Sequence, residues 1–147
     1  MKVMLARVLK GEVFVGNELV SSIKNGIAVF SCIEKDDEPE TLKAMVAKII
    51  ACRVFEDHHG KLNLSIKETG GQILCVPNFT LCAQTKAGNR PSFDKAMKGE
   101  LAKPLFEQFV KLLKTTGLIV ETGVFGVYMN VRLEFDGPVN LILDTDF

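Results

Sequence analysis

The chain has 147 residues, 47% hydrophobic and 24% charged, enough for one domain with a full apolar core and no need of staples. Its 18 basic and 18 acidic residues cancel, which excludes a protein that grips nucleic acid by net charge; an RNA partner has to be held by a local patch or at one end. No run approaches the roughly 20 apolar residues of a membrane span, and the apolar start is soon broken by Arg7 and Lys10, so a cytoplasmic protein without a membrane partner is expected.

Lys2 to Val8 reads as an apolar strand. Glu12 to Val15 and Leu19 to Ile23 flank a hairpin turn at Gly16-Asn17-Glu18, and Ile27 to Cys32 fits a buried central strand. Leu42, Met45, Val46, Ile49 and Ile50 then recur at helical spacing, which predicts a helix from about Pro39 to Cys52 with proline in its first turn. Val54-Phe55 and Ile73 to Leu81 are strand-like, separated by a polar loop from Glu56 to Lys61 and a turn at Thr69-Gly70-Gly71. Gln84 to Ser92 reads as an exposed loop. A second helix is expected after Pro104, with Leu105, Phe106, Phe109, Val110, Leu112 and Leu113 on its apolar face and Gly117 past its end. Two closing strands, Tyr128 to Phe135 and Val139 to Asp144, are joined by Asp136-Gly137-Pro138. These elements predict an α+β fold: one sheet-dominated domain over residues 1–147, covered by two main helices.

Few residues offer chemistry. Thr80, in Pro77-Asn78-Phe79-Thr80-Leu81, puts a hydroxyl on an apolar strand. It suits a nucleophile or a hydrogen-bonding group, but no base lies nearby in sequence, and a β-branched strand residue explains it as well. Gly137-Pro138 reads first as a turn; a rigid pair of carbonyls there suits recognition. Lys86 to Phe93 carries two cations fit for phosphate contacts or for solvent. His58-His59 reads as exposed, with no carboxylate at metal-ligand spacing, so no metal is expected. Cys32, Cys52, Cys75 and Cys82 lie in apolar stretches without a Cys-x-x-Cys pair and are expected as buried free thiols. No Gly-rich phosphate loop, Gly-x-Ser-x-Gly elbow or His-Glu-x-x-His is present.

Several short motifs in order carry more than any one alone. Ala6-Arg7-Val8, Arg53 to Asp57, Gly60 to Ser65, Gly88, Arg90-Pro91-Ser92-Phe93, Gly123 to Gly126, Met129 and Asp136 to Val139 together resemble the D-aminoacyl-tRNA deacylase family, also called D-tyrosyl-tRNA deacylases, over essentially the whole chain. The family pattern Ser-Gln-Phe-Thr-Leu stands here as Pro77 to Leu81, agreeing at Phe79, Thr80 and Leu81 and departing at Pro77 and Asn78. The pattern Asn-x-Gly-Pro-Val-Thr stands as Phe135 to Asn140, departing at Phe135 and Asn140.

The resemblance implies the deacylase-family fold, a homodimer with sites near the subunit interface, and no metal or organic cofactor. It implies hydrolysis of the ester that joins a D-amino acid to the 3′ end of tRNA. Phe79 and Thr80 would be the catalytic pair, with Asn78, Phe125, Met129 and Ala102 binding substrate and Ala102 near the terminal adenine. A cis Gly137-Pro138 pair would reach into the partner's site and reject L side chains; glycine, with none to reject, would pass. Three rival readings remain: an editing enzyme for glycine or other small residues, a protein that binds an RNA end without catalysis, and a structural protein.

Overall fold

The computed structural model describes residues 1–86 and 88–145; of the Lys86 to Phe93 loop, Ala87 lies outside the described residues. The chain opens with β1 (Lys2–Val15), β2 (Glu18–Ile23) and β3 (Gly26–Cys32). β1 and β2 form a hairpin turned at Gly16, whose φ of +58 is left-handed and so favours glycine. β3 runs antiparallel along the first half of β1, from Lys2 opposite Cys32 to Val8 opposite Gly26. After α1 (Pro39–Ala51) come a small hairpin, β4 (Arg53–Glu56) and β5 (Leu62–Ser65), and the single turn α2 (Ile66–Thr69). β6 (Gln72–Pro77) then joins β3 in parallel, and after α3 (Gly99–Lys114) the short β7 (Val120–Thr122) joins β6. The last strand, β8 (Asn130–Asp144), runs antiparallel along the other edge of β1.

The period-2 alternation of the inner strands sends side chains to both faces. Ile27, Val29, Ile73 and Cys75 meet Leu42, Met45 and Ile49 of α1 and Phe106, Phe109 and Leu113 of α3 in the larger core. Ala28, Leu74 and Val76 point the other way and pack with Val8, Val13 and Ile23. The result is the expected α+β, sheet-dominated fold with two main helices.

Four local expectations are corrected. α3 starts at Gly99, before Pro104 rather than after it. A proline inside the helix removes one N–H, the partner of the Glu100 carbonyl, and Glu100 is exposed, so that carbonyl has water to turn to. The strand after Gln72 stops at Pro77, and Phe79–Cys82 is a 3-10 turn, so Thr80 is not a strand residue. The Asn78 side chain starts this turn by accepting the Thr80 N–H.

Residues 130–135 and 139–144 are not a hairpin. Both halves pair with β1 in one direction, Phe14 opposite Asn130 and Lys2 opposite Asp144, and Asp136-Gly137-Pro138 bulges out between them. Finally, Cys32 and Cys82 are joined in a disulfide, with Cα atoms 6.5 Å apart, leaving Cys52 and Cys75 as free thiols. The parallel pairing of β3 with β6 sets Ser31 beside Pro77, and the Asn78 N–H donates to the Ser31 carbonyl at 2.8 Å. The turn that follows therefore lies across the end of β3, where Cys32 sits.

Candidate active site

A cavity of about 650 Å³ opens between the 3-10 turn, the start of α3 and the segment before β8. Its walls are mainly apolar. Phe79, Phe125, Met129 and Ala102 line it, and so does Asn78. The structure therefore brings together five of the eight residues singled out from sequence. Phe79 is 59% exposed at the rim and meets Phe93 edge-on at 5.1 Å. Phe125 leans on Phe106 of α3 at 5.7 Å. Gly123 makes room for Met129: a Cβ there would come within 2.8 Å of the Met129 sulfur, which also accepts the Val124 N–H. Tyr128, 94% exposed, stands at the mouth.

Thr80 is exposed on the same turn but does not line the cavity. Its hydroxyl donates to Asn78 Oδ1 at 2.5 Å, and its N–H donates to the same oxygen at 3.2 Å. Asn78 thus spends its carbonyl on the turn and keeps its amide N–H groups for a ligand. The N–H of Phe79, the first of the turn, makes no backbone hydrogen bond among the described residues, as the geometry of a helix start dictates. Among the described residues no histidine or carboxylate lines the cavity. An apolar chamber with a free main-chain donor at its rim can hold a small side chain and stabilise a developing oxyanion, but it supplies no side-chain base.

Gly137 and Pro138 are elsewhere. They are exposed on the bulge of β8, do not line this cavity, and are joined by a cis peptide bond. Arg7, 5% exposed, anchors the bulge. Its Nε lies 2.9 Å from Asp136 Oδ2 and donates to the Asp136 carbonyl at 3.3 Å, its Nη1 donates to the Val54 carbonyl at 2.9 Å, and its Nη2 reaches Glu56 at 3.4 Å. From sequence, Arg7 stood only as a charge that breaks the apolar start and as part of a motif. The available signal was a lone arginine inside an otherwise apolar strand. Phe93, Met97 and Phe106 were also missed as cavity walls; nothing local marks them.

His58 and His59 meet at a tilt, ring centroids 3.7 Å apart, in the β4–β5 turn, away from the cavity. Among the described residues no group of three or more His, Cys, Asp or Glu is placed to hold a metal. No helix among them is long and apolar enough to cross a membrane.

The profile of the D-Tyr-tRNA(Tyr) deacylase family matches residues 4–144. The chain belongs to this family. It is 47% identical over 145 residues to a D-aminoacyl-tRNA deacylase of Clostridium perfringens, covering 99% of this chain and 97% of the other. To a D-aminoacyl-tRNA deacylase of Thermodesulfovibrio yellowstonii it is 45% identical over 142 residues, 97% of each. Among solved structures, a c-Myc DNA unwinding element binding protein superposes with a TM-score of 0.93 at 39% identity, over 98% of both chains. A probable eukaryotic D-amino acid tRNA deacylase superposes at 0.82 with 20% identity, over 97% of both, a likeness of fold.

Proposed function

We propose that this protein hydrolyses the ester of D-aminoacyl-tRNA, releasing the D-amino acid and free tRNA, and that Gly137-Pro138 of one subunit excludes L substrates from the cavity of another. The observation that carries this reading is the mainly apolar cavity beneath Phe79, with no histidine or carboxylate among the described residues that line it, in a chain of this family. The ester is already activated, so positioning and oxyanion stabilisation suffice. Water attacks the carbonyl carbon, the Phe79 N–H holds the developing oxyanion, and the ribose oxygen leaves to regain its proton. The vicinal ribose hydroxyl of the RNA assists the water, taking the place of the absent base. Phe125 and Met129 hold the amino-acid side of the substrate, and Ala102 faces the terminal adenine.

Chiral selection then works by exclusion. Main-chain carbonyls at the α-carbon leave no room for an L side chain, whereas glycyl-tRNA, with no side chain to reject, is a second substrate. Gly137 and Pro138 stand outside their own chain's cavity, which favours a homodimer in which they serve the partner's. The expected compartment is the cytoplasm, where charged tRNA is found.

The test is release of amino acid from matched D-tyrosyl-, L-tyrosyl- and glycyl-tRNA by the purified protein. Fast release from the D and glycyl substrates with the L substrate intact is expected; release from none sinks the reading. The likeness to a DNA-element-binding protein favours one alternative, nucleic-acid binding without turnover. RNA retention with no hydrolysis in the same experiment is its signature.

A further inference from the structure

We propose that the Cys32–Cys82 disulfide is a reversible redox modification site that sets the catalytic rate by fixing the Phe79–Cys82 turn. This rests on the deacylase reading of the cavity. The crosslink joins the last residue of β3 to the last residue of the turn, so it closes directly behind Phe79 and Thr80. Cys32 itself lines the cavity. Besides this bond, the Asn78 N–H to the Ser31 carbonyl and the edge-on contact of Phe79 with Phe93 hold the turn to its surroundings, while the Asn78 side chain braces it from within.

The chemistry is thiol–disulfide exchange. A dithiol reductant gives up two electrons and two protons; the sulfur–sulfur bond breaks, Cys32 and Cys82 each become a thiol, and the reductant leaves as its own cyclic disulfide. Both cysteines are buried, 1% and 2% exposed, so attack comes through the cavity at Cys32 or after the turn lifts. The switch also changes what faces Phe79. Cys32 Sγ lies 3.5 Å from the Phe79 carbonyl oxygen. As a disulfide the sulfur has no proton to share; as a thiol it donates toward that oxygen and pulls on the residue whose N–H faces the substrate. A compartment that holds charged tRNA keeps thiols reduced, so a disulfide there is of the transient, sensing kind rather than a permanent staple. The oxidised form has the fixed turn and is the faster one.

Alkylation of thiols in the unfolded chain, after air oxidation and after dithiothreitol, establishes the state: two free thiols oxidised and four reduced are expected. Turnover of D-tyrosyl-tRNA is then compared between the two forms of the same wild-type protein, at a temperature where circular dichroism shows both folded. We expect kcat to fall about tenfold on reduction with KM little changed, since a misplacement of ~1 Å costs up to ~100-fold. Cys82→Ser and Cys32→Ser should sit at the reduced rate in either condition, and Cys52→Ser should respond as the wild type does. Equal kcat in the two forms, or four free thiols after oxidation, overturns the proposal while leaving the deacylase reading intact. A lower melting temperature on reduction with equal kcat also overturns it, being the mark of a purely structural crosslink. No release from either form defeats the deacylase reading and this proposal with it.

Discussion

Arg7 and Asp136 are 129 residues apart in sequence, yet one guanidinium nitrogen holds both the carboxylate and the main-chain carbonyl of Asp136. The pairing of β1 with β8 makes this possible. Ala6 faces Asn140 and Val8 faces Phe135, so the extra residues between them must leave the ladder opposite Arg7. The arginine thereby fixes the root of the Gly137-Pro138 bulge. Lysine cannot reproduce its contacts to Asp136, Val54 and Glu56, because an ammonium lacks the planar fork. Arg7→Lys should lower stability by about 1–3 kcal/mol, the range for lost charged hydrogen bonds. It should also narrow the ratio of D-tyrosyl to L-tyrosyl release by at least about tenfold if, as proposed, that discrimination depends on the bulge. Unchanged discrimination in a folded variant would show that the bulge holds its place without Arg7.

Gly137 has φ +134, a region that L side chains rarely adopt, and a Cβ there would lie 2.5 Å from the Val139 nitrogen. Gly137→Ala must therefore shift the backbone at a cost of about 1–3 kcal/mol. The bulge is exposed and outside both cores, so the protein should still fold, with a melting temperature a few degrees lower; on the proposed function the displaced pair and its added methyl group then crowd the substrate in the partner's cavity, so D-tyrosyl-tRNA hydrolysis should be lost. Wild-type activity in this variant would remove the Gly-Pro pair from the site.

Thr80 commits its hydroxyl proton to Asn78, and no base is at hand to free the oxygen for attack. A water mechanism predicts that Thr80→Val loses no more than about tenfold in kcat, whereas loss of a covalent nucleophile costs several orders of magnitude. Asn78→Ala, which removes the acceptor for two bonds of the turn, should cost about 1 kcal/mol in stability. Single-turnover kinetics that trap an acyl-enzyme on Thr80 would reverse the assignment.

These sites were legible in unequal degree. The short apolar runs between turn signals and the spacing Leu42, Met45, Val46, Ile49 report burial directly, so the α+β architecture could be read from them. Phe79, Phe125, Met129 and Ala102 came from a resemblance, since aromatic and apolar residues look alike whether they line a core or a cavity. What the sequence hid is nonlocal. Asp136-Gly137-Pro138 has the chemistry of a turn, and only its register against β1 makes it a bulge. Ile73 to Leu81 is apolar enough for a strand, but Pro77 and the Asn78 cap end it early. Cys32 and Cys82, 50 residues apart, are brought together by a parallel pairing that their spacing does not announce.

The acid limb of stability has an identifiable source at the outer hairpin. The Ser65 hydroxyl and N–H hold the Glu68 carboxyl below the usual range, and the N–H groups of Lys61 and His59 do the same for Asp57. A carboxyl whose folded-state value is lowered adds stability above its unfolded value, and that contribution disappears as pH falls through the folded one. The melting temperature should therefore drop below about pH 4. The double variant Asp57→Asn, Glu68→Gln should show a smaller drop over that window. An identical slope would place the acid sensitivity elsewhere.

The cavity and the bulge lie apart within one chain, so a composite site needs two. β8 leaves its outer edge unpaired among the described strands and exposes Phe135 (50%), Leu141 (36%) and Ile142 (63%) along it, apolar area that a second copy would cover. If the partner's Gly137-Pro138 completes each site, two dead variants should rescue each other. Phe79→Pro loses the N–H proposed to hold the oxyanion in its own cavity, and Gly137→Ala spoils what it lends to its partner. Mixed and refolded in equal amounts, they should recover about a quarter of wild-type activity. About half of the dimers are then mixed, and each of those carries one intact site of two. No recovery, with mixed dimers demonstrated by mass spectrometry, would mean that each chain completes its own site. If the exposed edge of β8 is the proposed dimer contact, Ile142→Glu should weaken that dimer and lower activity in step with its loss as measured by sedimentation.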